Sequence, residues 1–387
     1  MATDETGVVV GQGHGQPIEP AGTIDERIYV ASQTQLMWWK FRKHKAAVLS
    51  AVLLIGLYAI AIFAEFVAPY DPNKYDVRYS YAPPQLPQFI DPDGAFSMRP
   101  FVYGLKQERD PVTMRLMFEL DTEQKYYLRL WTRGVPYKMW GLVDSNLHLF
   151  GLDDPDQIFF VLGADRMGRD MFSRIVYGTR ISMSVGLVGV LVSLVLGLII
   201  GGVSGYYGGA IDNAIQRIIE FIRSIPTIPL WMALSAAVPK EWPPLRVYFV
   251  IVVLLSFIGW TSLARVVRGR FLSLRNEDFV MAARLQGASE MRVILRHMVP
   301  AFASHIIASL TLSIPGMILS ETSLSFLGLG LRPPVISWGV LLQESQNLRA
   351  VATASWLLLP GLAVVLAVLG FNFVGDGMRD AADPYSR

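Results

Sequence analysis

Residues 181–211 run for 31 positions without a charged side chain, a pattern that an ordinary water-soluble domain does not produce. About 20 predominantly apolar residues cross the hydrocarbon core of a bilayer. The run therefore predicts one tilted span followed by a Gly-rich turn over residues 201–209. Five further stretches have the same character. Residues 46–64 are nineteen uncharged positions. Residues 225–239 are shorter and follow Arg217, Glu220 and Arg223, which predicts a third helix that begins near Asp212 and keeps its charged turns at the membrane surface or against partner protein. Residues 247–264, 301–327 and 350–375 complete the set, and the fifth stretch carries His305, Pro315 and Glu321. Six crossings predict an all-α polytopic membrane protein. Residues 1–35 are polar and Gly-rich, without the apolar core of a cleavable signal peptide, so the first span is expected to be an uncleaved anchor.

Hydrophobic residues make up 52% of the chain and charged residues 17%, against about 25% charged in a typical soluble protein. Mean hydropathy is only +0.38, so a sizeable water-facing part must dilute the spans. That part is residues 68–180, with fourteen basic and fifteen acidic side chains. Turn signals at Asp91-Pro92-Asp93-Gly94 and Gly134-Val135-Pro136 bracket residues 115–120 and 125–131, whose alternation and aromatic content predict short strands. A small β-containing external domain with a hairpin is expected between helices 1 and 2. An interfacial helix over residues 167–177 is expected to follow it, with arginines facing lipid head groups.

Basic residues in short flanks mark the cytoplasmic side. Lys40, Arg42, Lys43 and Lys45 precede the first span with no acid among them, which places the N-terminus inside, and six crossings return the C-terminus to the same side. Residues 265–299 hold seven arginines against Glu277, Asp278 and Glu290, a net +4 that also belongs inside. Arg166, Arg169, Arg174 and Arg180 lie on the outer side in this topology, but they end a loop longer than the roughly 60 residues over which the rule is counted.

The formal net charge of +2 excludes a nucleic-acid binder driven by phosphate neutralisation. Zero cysteines exclude a disulfide scaffold and cysteine-ligated metal. No Gly-Lys dipeptide occurs, so the phosphate-cradling loop that needs a lysine after a glycine is absent. The five histidines, His14, His44, His148, His297 and His305, show no spacing that puts two metal ligands on one helix face. Gly202-Val203-Ser204-Gly205 with His305 on another span fits a serine–histidine nucleophile inside a membrane, but a small-residue stretch for tight helix packing and a turn beside Tyr206-Tyr207-Gly208-Gly209 is the stronger reading.

Residues 279–300, FVMAARLQGASEMRVILRHMVP, lie inside the basic segment. They predict two short helices broken at Gly287, with Ser289 capping the second, Glu290 at its positive end, and Met291, Ile294, Leu295 and Met298 on one face. Two uses remain open for such a pair: a connector packed on its own spans, or a surface that docks into a partner.

The spacing of Ala282, Ala283, Gly287, His297 and Pro300 resembles the EAA loop of permease subunits of ABC importers, with Met281 where the motif usually has glutamate. Four other blocks resemble the C-type permease subunit of the dipeptide/oligopeptide/nickel ABC importer family. They are residues 39–73 with the exit Ala68-Pro69-Tyr70-Asp71-Pro72; Leu162-Gly163-Ala164-Asp165 with Gly168-Arg169-Asp170 and Ser173-Arg174; Gly205-Tyr206-Tyr207-Gly208-Gly209; and residues 321–339, ETSLSFLGLGLRPPVISWG. Residues 1–35 and roughly 80–160 fall outside the resemblance, the latter as an insertion longer than in ordinary members.

The resemblance implies a type I ABC importer permease fold and a transport subunit without its own ATPase site. No cofactor would be bound by this chain, and ATP would be used by partner subunits. It implies a homologous second permease, two ATPase subunits, an external solute-binding protein, membrane lipid around the helices, no nucleic acid, and the inner membrane of a bacterium with both termini cytoplasmic. The division it implies is a disordered tail at 1–35, a first transmembrane helix with basic flank at 36–67, the external domain and interfacial helix at 68–180, a permease core at 181–375 with a coupling loop at 265–300, and a tail at 376–387. Ala282, Ala283 and Gly287 would make the docking turn, Arg284 and Arg292 the charged contacts, and His297 and Pro300 the return into span five. Glu321, a carboxylate at membrane depth, is expected to line the pore, to brace the partner permease, or to be a carboxylate near the outer surface that is simply hydrated or capped. The expected cargo is oligopeptides or dipeptides, with oligosaccharides, opines or nickel chelates as alternatives. A secondary transporter, which would show paired broken helices in two halves, an intramembrane serine protease and an external-domain receptor are the competing classes.

Overall fold

The computed structural model describes residues 33–91, 94–109, 116–154, 157–239 and 241–382. Nearly all of the expected tail at 1–35, the Pro92-Asp93 turn, Arg115 and residues 383–387 lie outside the described residues. Helix α1 (Gln33–Lys43) ends at His44, whose Nδ1 accepts the Ala47 amide at 3.1 Å and starts α2 (Lys45–Ile62) afresh. The basic flank thus becomes a separate helix, with Lys40, Arg42 and Lys43 in its last turn, where cations suit the helix dipole.

Helix α3 (Met171–Tyr207) is 37 residues long, and the separate interfacial helix expected over 167–177 does not form. Its helical part is the first turns of α3, capped by Asp170. Nor do its arginines face lipid head groups. Arg169 pairs with Asp165 at 2.6 Å, Arg174 is buried against Asp165 at 3.4 Å and donates to the Pro72 carbonyl at 3.0 Å, and Arg180 pairs with Glu65 at 2.6 Å. Only Arg166 of the four is well exposed. These cations are held by carboxylates of the chain itself, which is where burial drives a guanidinium.

A short turn at residues 208–209 leads to α4 (Gly209–Ser224), α5 (Thr227–Ala236) and α6 (Pro244–Leu274). The single helix expected from near Asp212 to 239 is instead a pair bent by 84°. Ile225 is extended because it precedes a proline, and Pro226 has no N–H to continue the ladder. The loop after α6 carries α7 (Asp278–Leu285); α8 (Ala303–Phe326) and α9 (Leu359–Ala382) follow. The sixth apolar stretch is also interrupted, since short helices at Leu348–Thr353 and Ser355–Leu358 precede α9. Among the described residues, five helices are long and apolar enough to cross a membrane, or six if the bent pair counts as one span.

Apolar attraction between helices vanishes in lipid, so close packing must hold them together. The glycines at 201 and 205 serve this purpose rather than the expected turn. A Cβ at Gly201 would sit 2.4 Å from the Ala264 carbonyl, and one at Gly205 2.7 Å from the Arg268 carbonyl. Helices α3 and α6 therefore touch backbone to backbone.

Between α2 and α3 lies a four-stranded antiparallel sheet in the order β1 (Gln88–Ile90), β2 (Phe96–Arg109), β3 (Leu116–Met139), β4 (Val143–Leu152). The two short strands expected at 115–120 and 125–131 are one 24-residue strand. Its first half pairs with β2 and its second half with β4. Gly134-Val135-Pro136 does not turn the chain; it falls in a register irregularity between Arg133 and Tyr137, where a proline without an N–H is tolerated.

Asp170 is buried, with one carboxylate oxygen accepting the Ser173 amide at 2.7 Å and the other without a partner among the described residues. Burial raises its pKa to about 6. The folded state disfavours the ionised form, so the destabilisation is complete above pH 6 and is relieved as the pH falls towards 4. Asp170→Asn keeps the cap acceptor and should raise the melting temperature by roughly 2–5 °C at pH 7.5 and by less at pH 5. An equal gain at both pH values in a differential scanning fluorimetry series would contradict this origin.

Candidate functional site: the loop between α6 and α8, and Glu321

Helix α7 closes with paired hydrogen bonds, Gly287 N–H to the Arg284 carbonyl at 2.9 Å and Ala288 N–H to the Ala283 carbonyl at 3.1 Å. This C-terminal motif requires a left-handed residue, and Gly287 supplies it with φ +78°. A second helix begins at Glu290, so the break at Gly287 stands as expected. Ser289 occupies the capping position, but its side chain makes no capping hydrogen bond. Residues Val293–Met298 form a π-helical turn ahead of Pro300, which cannot donate to the helix ladder. Residues five apart therefore share a face: Val293 and Met298 are buried, while Met291 and Leu295 are exposed. The face expected from α-helical spacing is split by this wider turn.

The inward side, Val280, Ala283, Val293 and Met298, packs on Tyr206, Val267, Phe271 and Phe302. The outward side carries Phe279, Met281, Leu285 and Met291, the third 86% and the fourth 64% exposed, beside exposed Arg284, Arg292 and Arg296. Of the residues singled out in the sequence, Ala282 and Gly287 lie on the exposed side and Ala283 is buried beneath them. The Arg284 guanidinium stacks 5.0 Å from the Tyr206 ring, and Arg292 forms no ion pair among the described residues. His297 is half-buried in the π turn, and Pro300 lies beside Met37, Trp38 and Phe41 of α1 at a cavity of about 410 Å³.

The Gly-Tyr-Tyr-Gly-Gly block and this loop, distant in sequence, form one unit. The Tyr207 hydroxyl donates to Glu290 at 2.8 Å, and Arg268 clamps Asp212 with two hydrogen bonds of 2.5 Å. Ser204 hydrogen-bonds Asp212 and accepts from Gln216 at 3.1 Å. It shares no hydrogen bond with His305 among the described residues, and its hydroxyl serves the turn instead of a nucleophile. Nothing in the spacing of Asp212 and Arg268 announced their pairing, because Arg268 is one of seven arginines in an even-looking basic run.

Glu321 has no exposed surface, so within this chain it neither lines an open pathway nor sits hydrated at the surface. Its carboxylate accepts from Ser325 at 2.7 Å, Ser337 at 2.8 Å and Ser182 at 3.5 Å. Those hydroxyls in turn accept the amides of Leu331, Val340 and Trp338. The carboxylate thus ties α8 to α3 and to the chain around residues 331–340. A separate cavity of about 370 Å³ is lined by Ser193, Arg223, Trp231, Ser262, Ser313 and Ser320.

Residues 193–387 match the family model described as binding-protein-dependent transport system inner membrane component, and residues 32–84 match the N-terminal transmembrane domain of oligopeptide transport permease C. The oligopeptide transport system permease protein of Bacillus subtilis is 35% identical over 63% of this chain and 77% of its own length, and that of Escherichia coli K12 is 40% identical over 58% and 72%. The glutathione transport system permease protein of Shigella flexneri is 31% identical over 90% of this chain and 89% of its own length. Among solved structures, an inward-facing form of the MetNI methionine ABC transporter aligns at a TM-score of 0.43 and 20% identity, over 55% of this chain and 98% of that one. With a family model over half the chain and relatives above 30% identity along most of their length, the chain belongs to the inner-membrane permease subunits of binding-protein-dependent ABC importers, in their dipeptide/oligopeptide branch.

Proposed function

We propose that this chain forms one half of the pore of an importer that moves oligopeptides or dipeptides delivered by an external binding protein. A homologous second permease completes the pore, two ATPase subunits drive it, and α4 with α5 serves as a single bent span, giving six spans and cytoplasmic termini in a type I arrangement. The observation that carries the mechanism is the loop over residues 265–300: apolar and basic outside, fastened inside to α3 and α6. ATPase subunits that approach each other on binding ATP would push on Leu285 and Met291 and move α7 together with the ends of α3 and α6. Ala282 and Gly287 allow close approach, Arg284 and Arg292 supply charge, and Met281 offers an apolar contact where the family usually has a carboxylate. Glu321 acts on the pore by fixing α8 against α3, leaving the serine face of α8 to the cavity lined by Ser313 and Ser320.

Glutathione, itself a tripeptide, is a second reading of the cargo, favoured by the glutathione permease relative that spans most of this chain. Uptake of radiolabelled oligopeptide and of glutathione into cells with and without the gene separates the two. Loss of peptide uptake alone supports the first reading, loss of glutathione uptake alone the second, and unchanged uptake of both overturns the proposed substrate class.

A further inference from the structure

The β3–β4 hairpin turns at residues 140–142 and brings its tip back to the end of α2. Trp140 donates its indole N–H to the Ile62 carbonyl at 2.8 Å, and its ring lies 6.0 Å from that of Phe63. The Trp131 ring lies 5.3 Å from that of Phe66, tilted by 43°, and the His148 ring nitrogens lie 2.7 and 2.9 Å from the carbonyls of Ala68 and Val135. The tip is thereby fixed at the level where an apolar span ends. It is also bare: Leu142 is 82% exposed, and Trp140 and Val143 are each more than half exposed. The exposed side of α2 that leads to it, Ile55, Ile62 and Phe63, is apolar as well, so the tip extends a surface that already faces hydrocarbon.

We propose that the hairpin tip is a membrane anchor, placing Trp140, Leu142 and Val143 among the lipids of the leaflet on the β-domain side. Its chemistry suits that depth. The indole donor of Trp140 is already satisfied by a backbone carbonyl, which removes the cost of taking it out of water. Aromatic side chains concentrate at this boundary in membrane proteins. The first charges behind the tip are Lys138 and Asp144, a loose pair 3.6 Å apart whose exposed side chains reach the head groups. The anchor gives the domain between α2 and α3 a further attachment besides its two covalent ends, and it holds strand β3 at a fixed height above the bilayer. The inference rests on α2 crossing the membrane and not on the identity of the cargo.

The chain contains no cysteine, so single cysteines can be introduced for labelling without further change. The full-length Leu142→Cys and Val143→Cys proteins, labelled with an environment-sensitive fluorophore, are placed in vesicles of phosphatidylethanolamine and phosphatidylglycerol, with and without lipid carrying a nitroxide near the head group. Gln107→Cys is the control: it is exposed and pairs with Phe118 towards the opposite end of β3. The expected result is blue-shifted emission and about twofold quenching by the nitroxide lipid at residues 142 and 143, with neither at 107, as for groups seated in the interfacial belt. Water-like, unquenched emission at both tip positions overturns the proposal. Shielded emission that nitroxide lipid does not quench also overturns it and assigns the tip to a protein contact.

Discussion

Gly287→Asp is expected to leave the chain folded in the membrane, to cut peptide uptake at least about tenfold, and to leave ATP hydrolysis by the assembled complex less dependent on substrate. A tenfold loss corresponds to about 1.4 kcal/mol, and two effects of the substitution together exceed that. The first is conformational. At φ +78° an L-residue costs about 1–2 kcal/mol, and aspartate tolerates the region better than most, so the turn strains without collapsing. A new Cβ meets nothing within 4 Å, which keeps steric damage out of the comparison. The second is electrostatic, because a carboxylate is set on the exposed tip of a loop whose outward cations are Arg284, Arg292 and Arg296. Burying it under a docked ATPase without a partner adds a desolvation cost of several kcal/mol. Gly287→Ala separates the two contributions, since it carries the strain alone. Uptake and ATP hydrolysis measured on one preparation decide the matter; unchanged uptake for Gly287→Asp would count against the loop as the lever.

Glu321→Leu should damage the subunit more broadly. Ser182, Ser325 and Ser337 would lose their common acceptor in a region with no access to water, and each unsatisfied group costs about 1–3 kcal/mol. The total reaches the order of the 5–15 kcal/mol by which a folded protein is ordinarily stable. The expected outcome is a variant that inserts but melts many degrees lower and loses its second permease on solubilisation. Glu321→Gln keeps one acceptor oxygen for the serines and should retain most of the melting temperature. A Glu321→Leu protein as stable as the parent would show that the hydroxyl cluster does not depend on the carboxylate.

What hydropathy alone could reveal was the apolar stretches: α2 and α8 lie within two residues of theirs, whereas α3 begins ten residues before its uncharged run and α6 continues ten residues beyond its own. The third span was harder. Its break is written in Ile225-Pro226, but a short run preceded by charges reads as a helix until the proline's missing donor is given its full effect. In the β domain, local turn signals at Gly134-Val135-Pro136 suggested an end, whereas pairing with β4 on the far side carried β3 through them. Local propensity has no access to that partner. The loop over residues 279–300 was legible in its Gly287 break and its basic charge, both local properties. Its attachment through Tyr206, Tyr207 and the Asp212–Arg268 pair was not, because those contacts join residues 56 to 83 positions apart. Glu321 shows the same limit: its apolar sequence neighbours were evident, but its hydrogen bond to Ser182, 139 positions away, was not.

The most direct test of the account is site-specific photo-cross-linking from Met281 in the intact complex, in native membranes supplied with ATP. Met281 is exposed on the outward side of α7, and a photoreactive residue there should capture an ATPase subunit at a yield that changes with bound nucleotide. A photoreactive residue at Val280, which is buried against α3 and α6, should not. Adducts from Met281 to lipid alone, or none, in a preparation that still transports peptide would contradict the claim that this loop receives the work of ATP.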